Sequence, residues 1–341
     1  MFMYKKIVLA FLLTFTYGCA TNPVSGIPDF VTITEQQEIS IGASYHKQIL
    51  EENKIIDNKE LNDYFQKLGE SIAKESHRPN LKWYFTLIDD PTFNAFATPG
   101  GYVYMYRGML NYFNSEAELA GVIGHEIAHI TARHAVRGMS TAQVTGLLLG
   151  ILQSNVPGGQ ITGNAFNLVN VIINRGYSRK FELEADQLGE EYLKRLNYDP
   201  RAMSAFLKTL QYSDDLEIKI AKEEDREPNI GYHGIFSTHP DHEKRISALD
   251  KSDKKNKKMK TNKEKFLKLL DGSVYGSSPE EGYVKNSVFY HPILAIKFEI
   301  LENWKLQNDP DKLVIIKKDS NITLRADELL ADDLENGLTP Q

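Results

Sequence analysis

The chain has a single cysteine, Cys19, in 341 residues. That leaves no partner for a disulfide and no thiolate cluster for a metal. Nor is there a cationic excess. A net charge of −6 and an isoelectric point near 5.9 argue against a nucleic-acid binder, whose phosphate contacts need a basic face. No apolar run reaches the roughly 20 residues that a membrane-spanning helix requires, and no internal repeat is visible. The 41% hydrophobic and 10% aromatic content that remains suits a globular protein with one large domain and a smaller one.

The first twenty residues, "MFMYKKIVLAFLLTFTYGCA", put two lysines before an apolar stretch from Ile7 to Phe15, then Gly18 before Cys19. This is the order of a secretory signal. Cys19 stands where a bacterial lipoprotein signal ends, although Thr16 and Tyr17 depart from the usual residues of that box. Residues 1–19 are therefore expected to be a lipoprotein signal peptide, with Cys19 the lipidated residue and a lipid anchor holding the protein to a membrane. Ala20 occupies the position where an aspartate would mark inner-membrane retention. By analogy with bacterial lipoproteins, the expected location is the periplasm, anchored to the outer membrane.

Residues 20–33 read as a tether. Helical spacing predicts helices over 34–52 and 58–76, the second behind Asn58 as N-cap. Alternation predicts a strand over 81–90, and two extended pieces over 94–110 around Pro99-Gly100-Gly101. Ser115 followed by Glu118 is a capping-box pattern that opens a helix expected to run to Val136. Residues 141–173 are apolar but interrupted by "SNVPGGQITGN", which suits packed helices with a connection, a flap, or a segment touching a membrane surface. A further helix is predicted over 178–196, and another after Asp199-Pro200. Residues 251–265 hold eight lysines and read as a linker. Residues 266–341 read as strands with turns, a small α+β module.

The chemistry is concentrated in "GVIGHEIAHITARH", residues 121–134. On a helix, His125 and His129 lie about 40° apart and one turn along the axis, so both imidazoles can face one ion. Glu126 flanks the same face, placed to act as general base on a water there. Zinc suits such a site, because it accepts imidazole and carboxylate donors and keeps one position for water. His134, extrapolated along an unbroken helix, falls about half a turn away on the opposite face. It is thus excluded as a third ligand and expected at the surface or at the helix end.

The missing ligand should come from another element, and "RKFELEADQLGEEY" offers Glu182, Glu184, Glu190 and Glu191. Glu182 and Asp186 are one turn apart and share a face beside an apolar stripe, where a carboxylate is costly unless it meets a cation. Glu182 is assigned to the metal. Asp186 is assigned to orienting a ligating histidine.

Four segments in order, "NAFATPGGYVYMYRGML", "ELAGVIGHEIAHITARH", "YSRKFELEADQLG" and "FSTHPDHEKRISAL", resemble the gluzincin metallopeptidases, the family that includes HtpX, the CAAX prenyl protease and BepA. The resemblance spans residues 30–250. It implies an α+β fold: a mainly helical zincin-type domain over 34–250 with a small edge-strand sheet, one Zn2+ per chain, and the small module over 266–341 after the linker. It also implies that Asn94, Ala95, Phe96, Ala97, Pro99, Gly100 and Gly101 form a substrate-binding edge strand, and that Glu182 with Asp186 is the family's ExxxD pair. His239 would approach the metal, as a catalytic group or as a fourth ligand in a resting state, and Arg245 is a candidate oxyanion ligand. The function implied is endopeptidase action on misfolded or stalled envelope proteins, with unfolded or extended polypeptides as substrates and the envelope assembly machinery as a possible partner. The competing expectations are a chaperone-like periplasmic binding module that seldom cleaves, and a membrane-embedded protease using residues 144–173.

Overall fold

The computed structural model describes residues 19–152, 169, 176–223, 228, 239, 242–250, 259–276, 278, 282–302, 304–309, 312–317 and 320–325. The signal segment before Cys19, most of 153–175 and the lysine run 251–258 lie outside the described residues. Contacts divide the chain into two units, Met1–Gly272 and Ser273–Gln341.

The first unit opens with a hairpin of β1 (Cys19–Thr21) and β2 (Pro28–Phe30), Cys19 lying opposite Phe30. Asn22 closes its turn, Oδ1 accepting from the amides of Val24 (2.9 Å) and Ser25 (3.2 Å). Residues 20–33 are not free of the domain. Val31 and Ile33 are buried, the Thr32 amide donates to Ser140 Oγ at 3.0 Å, and Asp29 meets Arg137 at 3.0 Å. The two buried apolar side chains contribute to holding the segment against the domain, alongside these polar contacts.

Helix α1 (Glu35–Glu52) begins with a reciprocal cap: Thr34 Oγ1 accepts from the Gln37 amide and Gln37 Oε1 from the Thr34 amide. Helix α2 (Lys59–Lys74) starts at Asn58 and buries Leu61, Phe65, Leu68 and Ile72, as its periodicity predicts. A three-stranded sheet follows, β3 (Tyr84–Ile88), β4 (Ala95–Thr98) and β5 (Tyr102–Tyr106), in the order β3-β5-β4. Strand β3 runs parallel to β5, while β4 is antiparallel to it with Ala95 opposite Met105; β4 is therefore an edge. The turn between β4 and β5 needs glycine at Gly101, where φ is +104° and a Cβ would sit 2.2 Å from the Lys82 carbonyl oxygen.

The remaining helices of this unit are α3 (Arg107–Leu110), α4 (Glu116–Thr131), α5 (His134–Leu152), α6 (Arg179–Arg195), α7 (Ala202–Glu223), α8 (His242–Leu249) and α9 (Lys263–Leu270). Helix α4 is the axis of the fold. Every one of its residues is buried, because α2, α6, α7 and β4 all pack on it. Ser115 caps it through the Glu118 amide, but Glu118 reaches back to the Asn114 amide (2.8 Å) rather than to Ser115. Glu116 ties the start of α4 to its surroundings, accepting from the hydroxyls of Tyr64 and Tyr198 at 2.5 Å each and from the Asn262 amide group.

The helix expected to reach Val136 stops at Thr131. Arg133 takes a left-handed backbone, φ +55°, and α5 restarts at His134. A non-glycine residue there costs about 1–2 kcal/mol, and the side chain of Arg133 supplies the compensation. Its Nε meets the buried Glu38 at 2.8 Å and its Nη2 donates to the Ile33 carbonyl at 2.9 Å. The other oxygen of Glu38 takes Arg78 Nη1 at 2.6 Å.

The second unit holds two antiparallel sheets. One joins β6 (Tyr283–Lys285), β7 (Val288–His291) and β8 (Ile296–Glu299); the other joins β9 (Lys305–Asp309), β10 (Lys312–Lys317) and β11 (Ser320–Arg325) in the order β11-β10-β9. Among its described residues only strands occur, with no helix to make it α+β. The sequence reading starts this module at 266, but Phe266 is fully buried in the core that α4 crosses, so α9 belongs with the first unit. Among the described residues, no helix is long and apolar enough to cross a membrane.

Candidate metal centre

Two helices and one outlying residue build the site. Helix α4 supplies His125, Glu126 and His129, α6 supplies Glu182 and Asp186, and His239 comes from just before α8. The helices meet closely at Gly189, where a Cβ would lie 3.0 Å from the His125 amide nitrogen. A larger residue at this position would push the α6 carboxylates away from the histidines.

One donor atom each from His125, His129, Glu182 and His239 lies within 4.8 Å of the others, and all four residues are buried. The inward nitrogens of His125 and His129 face each other at 3.0 Å. Glu182 puts its carboxylate oxygens 3.4 Å from His125 Nε2 and 3.5 Å from His129 Nε2. His239 Nδ1 lies 3.0 Å from Glu182 and 3.2 Å from His125 Nε2, and its Nε2 is 3.6 Å from Glu126. Asp186 accepts from His125 Nδ1 at 2.8 Å, which leaves Nε2 as the lone-pair nitrogen.

This donor set fits a cation. Three nitrogens and a carboxylate converge, and neither oxygen of the buried Glu126 has a hydrogen-bond partner among the described residues. Such a carboxylate is costly unless something polar meets it. Burial raises the Glu126 carboxyl above its ordinary range, with His239 and His125 pulling against it. For Glu182 burial works in the same direction, but His239 and His125 outweigh it and hold that carboxyl well below its usual value. Burial and the neighbouring His125 keep His129 neutral, the form in which imidazole ligates. Burial and Arg245 oppose a charge on His125, yet Asp186 and Glu182 lift it to about 9; a proton and a metal ion compete for that nitrogen.

The expected oxyanion role of Arg245 does not match its surroundings. The guanidinium forks onto Asp186, Nε to Oδ2 and Nη2 to Oδ1 at 2.7 Å each. Its Nη1 lies 3.2 Å from Glu182 and donates to the His239 carbonyl at 3.4 Å. A guanidinium held this way steadies the carboxylates behind the histidines and has little reach left for a substrate oxygen.

His134 also departs from expectation. It is fully buried, and its Nδ1 lies 2.9 Å from His129 Nδ1, because the turn at Arg133 swings it back onto the ligand. It stays outside the four-donor group, although not for the reason expected, since the unbroken helix that would carry it to the far face does not form. Tyr177 passed unremarked in the sequence reading, although it lies in the motif just ahead of the α6 cap. Its ring stacks on His129 at 4.0 Å, and burial pushes its phenol upward.

The edge strand lies alongside. Ala95, Phe96 and Ala97 are in β4, Asn94 precedes it, and Pro99, Gly100 and Gly101 make its turn. A narrow cleft lined by Ala97, Thr98, Pro99, His129 and Tyr177 joins this strand to the metal-facing histidine.

The chain is 28% identical to the beta-barrel assembly-enhancing protease of Escherichia coli K12 over 243 residues, 68% of this chain and 47% of that protein. It is 30% identical to the Yersinia pestis protein of the same name over 198 residues, 55% of this chain and 40% of that one. With the mitochondrial metalloendopeptidase OMA1 of Arabidopsis thaliana it shares 32% identity over 151 residues, 44% of this chain and 30% of that one. It thus spans less than half the length of these relatives. The model of peptidase family M48 matches residues 59–253, a stretch that holds the edge strand, the HExxH helix, Glu182, Asp186, His239 and Arg245, and the chain belongs to that family.

Proposed function

We propose that the protein is a zinc-dependent endopeptidase. The observation that carries this reading is the buried convergence of His125, His129, Glu182 and His239 beside a Glu126 carboxylate that has no hydrogen-bond partner among the described residues. Three of these, His125, His129 and Glu182, would hold one Zn2+, a nitrogen and oxygen set that zinc accepts. When bound, zinc supplies a Lewis acid that polarises a peptide carbonyl and makes water more acidic. Glu126 takes the water proton at its carboxylate and returns it to the leaving amine; a carboxyl raised by burial is better matched to both steps near neutral pH. Asp186, gripped by Arg245, holds His125 in the tautomer that points a lone pair inward. The sheet edge of β4, with its flanks Asn94 and Pro99 to Gly101, pairs with an extended substrate by backbone hydrogen bonds, which demand little of its side chains.

A second reading has an observation of its own. His239 sits where a substrate carbonyl or water would approach, 3.2 Å from His125 Nε2. In that position it would serve as a fourth ligand to a bound metal and close the site, leaving the resting protein self-inhibited or binding chains without cutting them. The substrates proposed are misfolded or stalled envelope proteins, and the partner proposed is the envelope assembly machinery; support comes from relatives named for enhancing beta-barrel assembly. Lipidation of Cys19 would hold the protein at the periplasmic face of the outer membrane, and Cys19→Ser should then move it from the membrane fraction to the soluble one.

The decisive test compares cleavage of casein by the zinc-loaded protein, by the Glu126→Gln variant and by chelator-treated protein. Equal cleavage by the Gln variant rules the mechanism out. A His239→Ala variant more active than the parent supports the closed resting state.

A further inference from the structure

His125 and His129 each need their outer nitrogen, Nδ1, held if the inner one is to present a lone pair. For His125 the holder is Asp186. For His129 a different chain of atoms does the work. Glu184 Oε2 lies 3.3 Å from His134 Nε2, and His134 Nδ1 lies 2.9 Å from His129 Nδ1. A carboxylate can only accept, so His134 carries its proton on Nε2 and offers a lone pair at Nδ1. His129 must then donate from Nδ1, which leaves its Nε2 free to face the metal. The tautomers of both rings follow from Glu184 alone.

The support is built on purpose-fitting geometry rather than on one contact. His134 is fully buried and stacks flat on Phe181 at 4.3 Å and 10°. The Arg137 guanidinium lies over the same Phe181 ring at 4.6 Å. Arg137 also reaches Glu184 at 3.4 Å and Asp29 at 3.0 Å, so the carboxylate that begins the relay is itself held.

We propose that His134 and Glu184 are positioning residues that fix the tautomer and ring orientation of the metal-facing His129, as Asp186 does for His125. This rests on the proposed metal site, and its test must separate the two. Zinc affinity of the full protein is measured by competition with a chromophoric chelator, for the parent and for His134→Phe, His134→Gln, Glu184→Ala and His129→Ala. Phe keeps the stacking and removes both nitrogens; Gln restores an acceptor and a donor on one side chain.

The expected result is a loss of zinc affinity of about 10–100-fold for His134→Phe, the usual effect of removing a partner of a ligating histidine. Glu184→Ala should lose less, and His134→Gln should recover most of the parent affinity. The visible bands of the cobalt-substituted protein should shift in His134→Phe and return in His134→Gln, a change that loss of packing alone would not reverse. Should His134→Phe fail to fold, Glu184→Ala decides the matter, because its side chain is partly exposed at 27%. Parent-like affinity in Glu184→Ala and in a folded His134→Phe, with binding lost in His129→Ala, overturns the relay alone. Parent-like affinity in His129→Ala overturns the metal site and the relay with it.

Discussion

The two candidate ligand histidines of α4 are one turn apart, yet the protein supports them by different means. Behind His125 stands an ion pair, Asp186 with both its oxygens on Arg245, both partners almost wholly buried. Behind His129 stands a second imidazole, His134, whose carboxylate Glu184 reaches partly exposed surface. A buried ion pair with full hydrogen bonding resists displacement but becomes a liability once one partner is removed. A neutral ring ending at a surface carboxylate can lose that carboxylate at small cost to stability, even where the tautomer it holds is lost. One half of the site is therefore expected to be rigid and sensitive, the other tolerant.

The largest effect should come from the residue between the two halves. Glu126→Gln should reduce turnover by about 10²- to 10⁴-fold, the usual contribution of a general base, while zinc affinity stays near that of the parent. Next, Asp186→Ala should strip the buried Arg245 of its forked partner, leaving it Glu182 as ion-pair partner, and cost up to about 3–5 kcal/mol in chemical denaturation, with zinc affinity falling as well. The Asp186 carboxyl is held low by Arg245 and His125 against the effect of burial. Its stabilisation should then be fully present above the unfolded value of about 3.9 and lost as pH falls through the lower folded value. The stability gap between parent and Asp186→Ala should accordingly narrow in acid, and in the metal-free protein it should also narrow as pH rises through the His125 value of about 9 that Asp186 helps to sustain.

Gly189→Val tests the contact both halves share. A side chain there meets the His125 backbone, and overpacking of this kind costs about 1–3 kcal/mol, read as a lowered denaturation midpoint together with weaker zinc binding. The smallest effect on stability should be that of Glu184→Ala, within about 1 kcal/mol for a partly exposed ion pair. If Glu184→Ala destabilises the fold as much as Asp186→Ala does, the contrast between a rigid and a tolerant half is wrong.

Much of this could be read before the fold was known. The i,i+4 pair His125 and His129, the capped start at Ser115, the buried stripe of α2 and the turn at Pro99-Gly100-Gly101 all follow from local periodicity and backbone preference. Glu182 and Asp186 were legible because carboxylates one turn apart beside an apolar stripe must meet positive charge. His134 was not. Its assignment to the far face assumed an unbroken helix, and nothing local to "ITARH" marks the break, since the left-handed residue is arginine rather than glycine. Arg245 was found as a site residue but given a different task, because its partner Asp186 lies 59 residues away in sequence.

The sequence by itself determined half of the candidate metal site: two histidines and a glutamate on one helical face, with a carboxylate pair waiting on another helix. A helix repeats every 3.6 residues whatever surrounds it, so those placements need no tertiary information. Tertiary structure decided the rest. Glu38, 95 residues before Arg133, stabilises the backbone reversal that turns His134 onto His129, and the close approach at Gly189 brings Glu182 to the pair. Both depend on contacts between segments far apart in the chain, where no local pattern records which side chains will meet.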